Sequence, residues 1–212
     1  MTAANTRREV LVVLAASAVA MGITPALSTG AAAHPQTGTS APDFTATDSK
    51  GTQHILAAYK GKTVILEWTN HECPYTVKHY ATGNMQALQK SATDGGTIWL
   101  TVVSSRPGTQ GHVNPLEADK LTDDRKANPT AVLLDPKGDL GRLYEARTTP
   151  HMYVIDPAGM LVYMGAIDDQ PTANHAGVKT ARNYVREALD ALAARRPIAL
   201  ASTRPYGCTV KY

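Results

Sequence analysis

Two continuous apolar runs, Thr63–Trp68 and Thr97–Val103, stand on either side of a segment with helical spacing. Runs without polar alternation mark strands buried on both faces, and two such strands joined through a helix lie parallel in one sheet. That unit calls for an α/β architecture with helices packed against the sheet. Just after the first run the chain reads Asn70-His-Glu-Cys73-Pro-Tyr-Thr76. Pro74 suits the first turn of a helix, so Cys73 falls at the helix N-terminus. There the unpaired amides and the positive end of the helix dipole favour a thiolate, and with it redox chemistry over mere packing.

The elements around this unit follow from pattern and punctuation. Phe44–Thr47 and Gln53–Leu56 read as a hairpin about the turn Ser49-Lys50-Gly51. Pro74–Lys90 reads as one helix, with Val77, Tyr80, Met85 and Leu88 near one face. Leu116–Ala127 reads as a charged surface helix, Ala131–Leu134 as a short strand and Gly138–Ala146 as a short helix. His151–Ile155 and Met160–Gly165 are apolar strands joined by Asp156-Pro-Ala-Gly159, a hairpin turn. His175–Ala194 has the spacing of a long closing helix. The last stretch, Pro197–Tyr212, shows no periodicity.

The first 33 residues have a different character. Arg7-Arg8-Glu9 leads into an uncharged apolar segment that ends at Ala31-Ala32-Ala33. This is the pattern of an export signal, and the paired arginines before Val10-Leu11 resemble a twin-arginine signal. The apolar run is short and rich in Ala, Gly and Thr, which suits cleavage better than a membrane span. The expected organisation is a signal peptide at 1–33, a linker at 34–40, one domain at 41–194 and a tail at 195–212 that carries Cys208. The expected destination is the periplasm or the exterior, with no stable membrane span after processing. The whole chain carries net +3 at pH 7, and loss of Arg7, Arg8 and Glu9 leaves +2. Such a balance argues against nucleic acid as a partner.

A strand-helix-strand unit, an antiparallel hairpin and a closing helix come in the order of the thioredoxin fold. Cys73-Pro74 after the first core strand, Thr149-Pro150 before the hairpin and Val154-Ile-Asp-Pro-Ala-Gly159 within it resemble the redoxin group of the thioredoxin-like superfamily. That group contains the alkyl hydroperoxide reductase and thiol-specific antioxidant proteins and the periplasmic thioredoxin-like reductases. The resemblance covers roughly Ala41–Ala194. It implies a thioredoxin-like α/β fold, a central mixed sheet flanked by helices, with an N-terminal hairpin and an extended C-terminal tail. It also implies a cis Pro150 whose loop faces Cys73, with Thr149 offering its backbone to an extended thiol or disulfide substrate.

The chain departs from both templates in that group. Thr76 stands where thioredoxins carry a second cysteine, so a dithiol cycle within the motif is impossible, although its hydroxyl is suited to bonding the Cys73 thiolate. Peroxiredoxins place Thr or Ser three residues before their cysteine, a position held here by Asn70. Their distant arginine falls near Arg147, and Arg106, in the loop Ser105–Gly111 after the second core strand, is a second candidate. Cys208 is the only other cysteine. It is a candidate resolving thiol on a mobile tail, one end of a permanent bridge to Cys73, or a buried thiol. Glu67 interrupts a buried strand and is a weak candidate for a proton acceptor beneath Cys73. His71, His79 and His151 fall near Cys73 in the implied fold. His71 or His79 reads as a surface residue that adds charge or shuttles a proton, more than as a metal ligand. Asp168-Asp169 reads as a solvated turn pair, and Trp68 and Tyr75 as packing. No cofactor or metal is expected. The implied partners are a peroxide or disulfide substrate and an external thiol reductant. The resemblance implies an exported, peroxiredoxin-like thiol oxidoreductase that uses Cys73 as nucleophile on a peroxide or disulfide; the competing readings are a thiol-disulfide reductase or isomerase with an external resolving thiol and a non-enzymatic periplasmic metal-binding or structural module.

Overall fold

The computed structural model describes residues 1–2 and 34–212. The reading of the first 33 residues as an export signal falls on residues 3–33, which lie outside the described residues. In chain order the elements are β1 (Thr45–Thr47), β2 (Gln53–Ile55), a 3-10 turn (Leu56–Tyr59), β3 (Val64–Trp68), α1 (Pro74–Ala81), α2 (Asn84–Asp94) and β4 (Ile98–Val103). There follow α3 (Pro115–Asp124), β5 (Ala131–Leu134), α4 (Asp139–Leu143), β6 (Thr148–Thr149), β7 (His151–Ile155) and β8 (Leu161–Gly165). A second 3-10 turn (Ala176–Lys179), α5 (Tyr184–Ala193) and β9 (Cys208–Thr209) complete the fold.

The main sheet has the order β5-β4-β3-β7-β8, with β3, β4 and β5 parallel and β7 and β8 antiparallel to their neighbours. β3 is the central strand, as its unbroken burial requires. Its side chains alternate between two cores. Val64, Leu66 and Trp68 pack with Phe44 and Leu56 of the N-terminal arm and with Tyr144, Tyr153 and Leu161. Ile65 faces Met85 and Leu88 of α2, Trp99 of β4, and Val185 and Ala188 of α5. The mixed sheet between helices is the architecture expected from the order of apolar runs.

Three segments differ from expectation. The predicted helix Pro74–Lys90 is two helices, because Gly83 adopts φ 74°, a left-handed conformation that glycine takes without a Cβ penalty, and begins a new helix there. The predicted helix His175–Ala194 is a 3-10 turn followed by α5. Asn183 is drawn out of helical geometry by bridging to Asp168, and its side chain accepts the Arg186 N–H at 2.9 Å to cap α5. The tail, without periodicity, is nonetheless docked. Met164 N–H donates to Ala201 O at 3.1 Å, Val210 N–H to Arg147 O at 3.1 Å, and Arg106 N–H to Lys211 O at 2.8 Å. β9 pairs antiparallel with β6.

Candidate active site

Cys73 is the N-cap of α1, in extended geometry at φ −75° and ψ 120°, with Pro74 next in the helix. The turn before it is closed by the Cys73 N–H donating to Asn70 O at 3.1 Å. Asn70 also accepts the Glu72 N–H at 2.9 Å, and Glu72 accepts the Gly111 N–H at 2.6 Å, which ties the long loop after β4 to the cysteine turn. Arg125 donates to His71 O at 3.0 Å from the other side. Asn70 and Glu72 thus serve as scaffold for the cysteine. Glu72 was not singled out in the sequence, where its role depends on a loop about 40 residues away in the chain.

The Cys73 sulfur is buried. Its thiol donates to Thr149 O at 3.0 Å, and it accepts the Cys208 N–H at 3.4 Å. The Thr149–Pro150 bond is cis. Thr149 stands opposite Cys208 in the β6–β9 register, so the tail lies as a short strand across the cysteine. Both cysteines are free thiols. Burial opposes a Cys73 thiolate. Hydrogen bonds from the Cys208 and Thr149 side chains, and from the backbone N–H groups of Cys208 and Thr76, outweigh burial and hold the thiol below its ordinary value. Burial, and then the bond and charge of Cys73, push Cys208 up to about 11. The pair is therefore asymmetric: Cys73 ionises first and Cys208 stays a thiol.

The other predicted site residues fall in several places. Thr76 meets Cys73 through its backbone N–H, while its buried hydroxyl finds no hydrogen-bond partner among the described residues. The Arg147 side chain is exposed and pairs with Glu145 at 3.6 Å, and Arg106 engages the tail through its backbone. Neither guanidinium is bonded to either cysteine. Glu67 accepts hydrogen bonds from Tyr80 (2.8 Å), Trp99 (2.8 Å), Gln89 (3.0 Å) and Thr101 (3.2 Å), none of which bonds Cys73. Burial raises its pKa against those four donors, and the carboxyl joins β3 to α1, β4 and α2.

His79 and Asp168 correct the surface readings given to them, since both are buried. With Lys78 and Tyr206 they form a polar cluster behind α1. Lys78 Nζ donates to Gln170 O at 2.6 Å and lies 3.8 Å from Asp168 Oδ1. Tyr206 donates its hydroxyl to Asp168 and lies 3.2 Å from His79 Nε2. Burial, and then the charge of Lys78, push His79 down to about 3, so it is neutral here, donating from Nε2 and accepting at Nδ1 from Asn84 at 2.9 Å. Asp168 Oδ2 is buried without a hydrogen-bond partner among the described residues. The cluster clamps the tail two residues before Cys208. The buried roles of Asp168 and of Lys78 are hidden in the sequence because Tyr206, which meets both, sits in a stretch without pattern. Among the described residues no group of three or more His, Cys, Asp or Glu side chains is arranged to hold a metal ion.

A mixed sheet of this order with a cysteine at a helix N-terminus against a cis-proline loop defines a thioredoxin-like thiol protein. The sequence pattern of the AhpC/TSA family matches residues 37–164, more than half of the chain, and the protein belongs to that family. No curated protein sequence matches. Among solved structures, an uncharacterized conserved protein from Geobacillus kaustophilus is similar with TM-score 0.71 and 22% identity, over 84% of this chain and 92% of that one. A hypothetical protein from Sinorhizobium meliloti 1021 is similar with TM-score 0.68 and 22% identity, over 84% and 94%. A protein provisionally named thiol:disulfide interchange protein DsbE, from Chlorobium tepidum, follows with TM-score 0.53 and 21% identity, over 76% and 97%. These likenesses establish the fold. Among the described residues no helix is long and apolar enough to cross a membrane.

Proposed function

We propose that the protein is an exported two-thiol oxidoreductase in which Cys73 is the nucleophile and Cys208 the resolving thiol. The observation that carries this reading is the Cys208 N–H 3.4 Å from the Cys73 sulfur, on a strand paired with Thr149. The Cys73 thiolate attacks the terminal oxygen of a hydroperoxide. The O–O bond breaks, Cys73 becomes a sulfenic acid, and the alkoxide or hydroxide leaves and takes up a proton. Cys208, as a thiol that gives up its proton in the step, attacks the sulfenic sulfur, a disulfide forms and water leaves. Two external thiols then exchange with that disulfide, restoring both cysteines and leaving as a disulfide of their own. The first 33 residues, read as an export signal, support action in the periplasm or outside the cell, where no nucleic acid is called for.

A second reading is favoured by one feature. The backbone of Thr149 already holds an extended cysteine-bearing strand, which is how a protein disulfide would lie for exchange with Cys73. The two readings part in one assay. Hydrogen peroxide consumption with dithiothreitol as reductant is compared for the wild type, Cys73→Ser and Cys208→Ala. Turnover lost in Cys73→Ser and slowed in Cys208→Ala supports the peroxide cycle. Equal background consumption in all three, with rapid reaction of Cys73 toward a model disulfide, moves the function to disulfide exchange.

A further inference from the structure

The strand that covers Cys73 is held from both sides. Gly207 has φ 132°, and a Cβ at that position would lie 2.0 Å from Thr149 O, far inside contact distance, so only glycine lets the tail come this close to β6. One residue earlier, Tyr206 reaches into the buried cluster to Asp168 and His79, and its ring lies 4.9 Å from Lys78 Nζ and 5.8 Å from the ring of Tyr75, which follows Pro74 in α1. Beyond Cys208, Val210 N–H is bonded to Arg147 O. β6 has no strand neighbour other than β9 among the described residues, so the tail uses the edge that an incoming peptide would need.

Size then separates the substrates. A polypeptide disulfide that pairs with Thr148–Thr149 to present its sulfur can do so only after β9 and the residues that flank it, Tyr206 to Val210, have left. A small oxidant needs only a local opening beside a sulfur that the tail covers. We propose that Tyr206 and Gly207 are specificity-determining residues that keep the tail on the Thr148–Thr149 edge, reserve Cys73 for small oxidants and exclude cysteine-bearing polypeptides. This rests on Cys73 as the reactive thiol, but not on which oxidant it meets in the cell.

The test is run in Cys208→Ser, where Cys73 is the single thiol, and compares it with Cys208→Ser/Gly207→Val and Cys208→Ser/Tyr206→Phe. Each is treated with two activated disulfides that release pyridine-2-thione when a thiolate displaces it. One is methyl 2-pyridyl disulfide; the other carries the peptide Pro-Tyr-Gly-Cys-Thr-Val through its cysteine. In either case the Cys73 sulfur bonds to the incoming sulfur and the thione leaves, so absorbance counts the reaction directly. The expected result is that the peptide-to-methyl rate ratio rises roughly tenfold in the Gly207→Val background, and less in Tyr206→Phe. A ratio unchanged in both variants overturns the proposal. Thermal unfolding at the Cys208→Ser midpoint shows that a changed ratio comes from a folded domain, and Tyr206→Phe carries the test if Gly207→Val fails to fold. Failure of the peroxide cycle leaves this readout intact, because the assay needs only a nucleophilic Cys73.

Discussion

Thr149 and Cys208 stand opposite each other in an antiparallel pair, and the sulfur of Cys73 is bonded to both, 3.0 Å from the carbonyl oxygen of one and 3.4 Å from the amide nitrogen of the other. Residues distant in sequence are thus gathered around one sulfur atom. The asymmetry of the two thiols follows from this arrangement, since the donors converge on Cys73 and leave Cys208 as the group that gives a proton away.

Replacing Cys208 by Ala removes the side-chain donor to Cys73 and leaves the backbone N–H. The Cys73 pKa is expected to rise, so iodoacetamide alkylation near neutral pH slows and its pH profile moves to higher pH. The profile of Cys73 alkylation, followed by peptide mass spectrometry, checks this. A profile unchanged from that of Cys73 in the wild type would show that Cys208 does not bear on the thiolate.

Glu67→Ala is expected to lower stability by about 3 to 5 kcal/mol, because it leaves four buried donors without an acceptor and opens a cavity. Alkylation of Cys73 should be unaffected, since no partner of Glu67 bonds the sulfur. Urea unfolding together with the alkylation rate separates the two roles. A slowed Cys73 in a folded Glu67→Ala protein would restore Glu67 as a proton acceptor.

His79 gives the fold an acid limit. Its pKa is about 3 in the folded protein against an ordinary 6.5, so the folded state resists a proton that the unfolded chain accepts. A depressed pKa contributes stability that is present above the unfolded value and lost as pH falls toward the folded one. Stability should therefore decline from about pH 6.5 down to pH 3, with His151, also about 3, adding to the slope. Urea midpoints across this range should fall less steeply in His79→Gln. The same slope in that variant and the wild type would remove His79 from the account.

Tyr206→Phe keeps the ring over Lys78 but takes a donor from Asp168, whose other oxygen already lacks a partner. A loss of about 1 to 3 kcal/mol is expected, together with faster amide exchange at Cys208 and Thr209 as the strand opens more often. Protection of these two amides equal to the wild type would show that the tail is held without the Tyr206 hydroxyl.

The sequence made the central sheet legible because β3, β4 and β7 are fully buried and therefore mostly apolar, with Glu67, Thr101 and His151 the polar exceptions. Cys73 was legible for a similar reason: proline at the first helical position fixes where the helix starts. Helical spacing on both sides places Gly83 within one helix, and only its left-handed backbone separates α1 from α2. The tail was illegible for a deeper reason. A strand of two residues has no period, and what docks it, namely the close approach of Gly207 to Thr149 and the Tyr206 hydroxyl in the Asp168 cluster, exists only in three dimensions. The arginines show the converse, since both reach the tail through their backbones, at Lys211 and Val210, while the Arg147 side chain pairs with Glu145.

The most direct test adds one equivalent of hydrogen peroxide to the fully reduced protein, with a sulfenic-acid trap present or absent, and maps Cys73 and Cys208 by non-reducing peptide mass spectrometry. The expected result is a trapped sulfenate on Cys73 that, without the trap, becomes a Cys73–Cys208 disulfide within one chain, and that persists in Cys208→Ala. A Cys73 that stays reduced, or a sulfenate that lingers in the wild type without forming that disulfide, would contradict it.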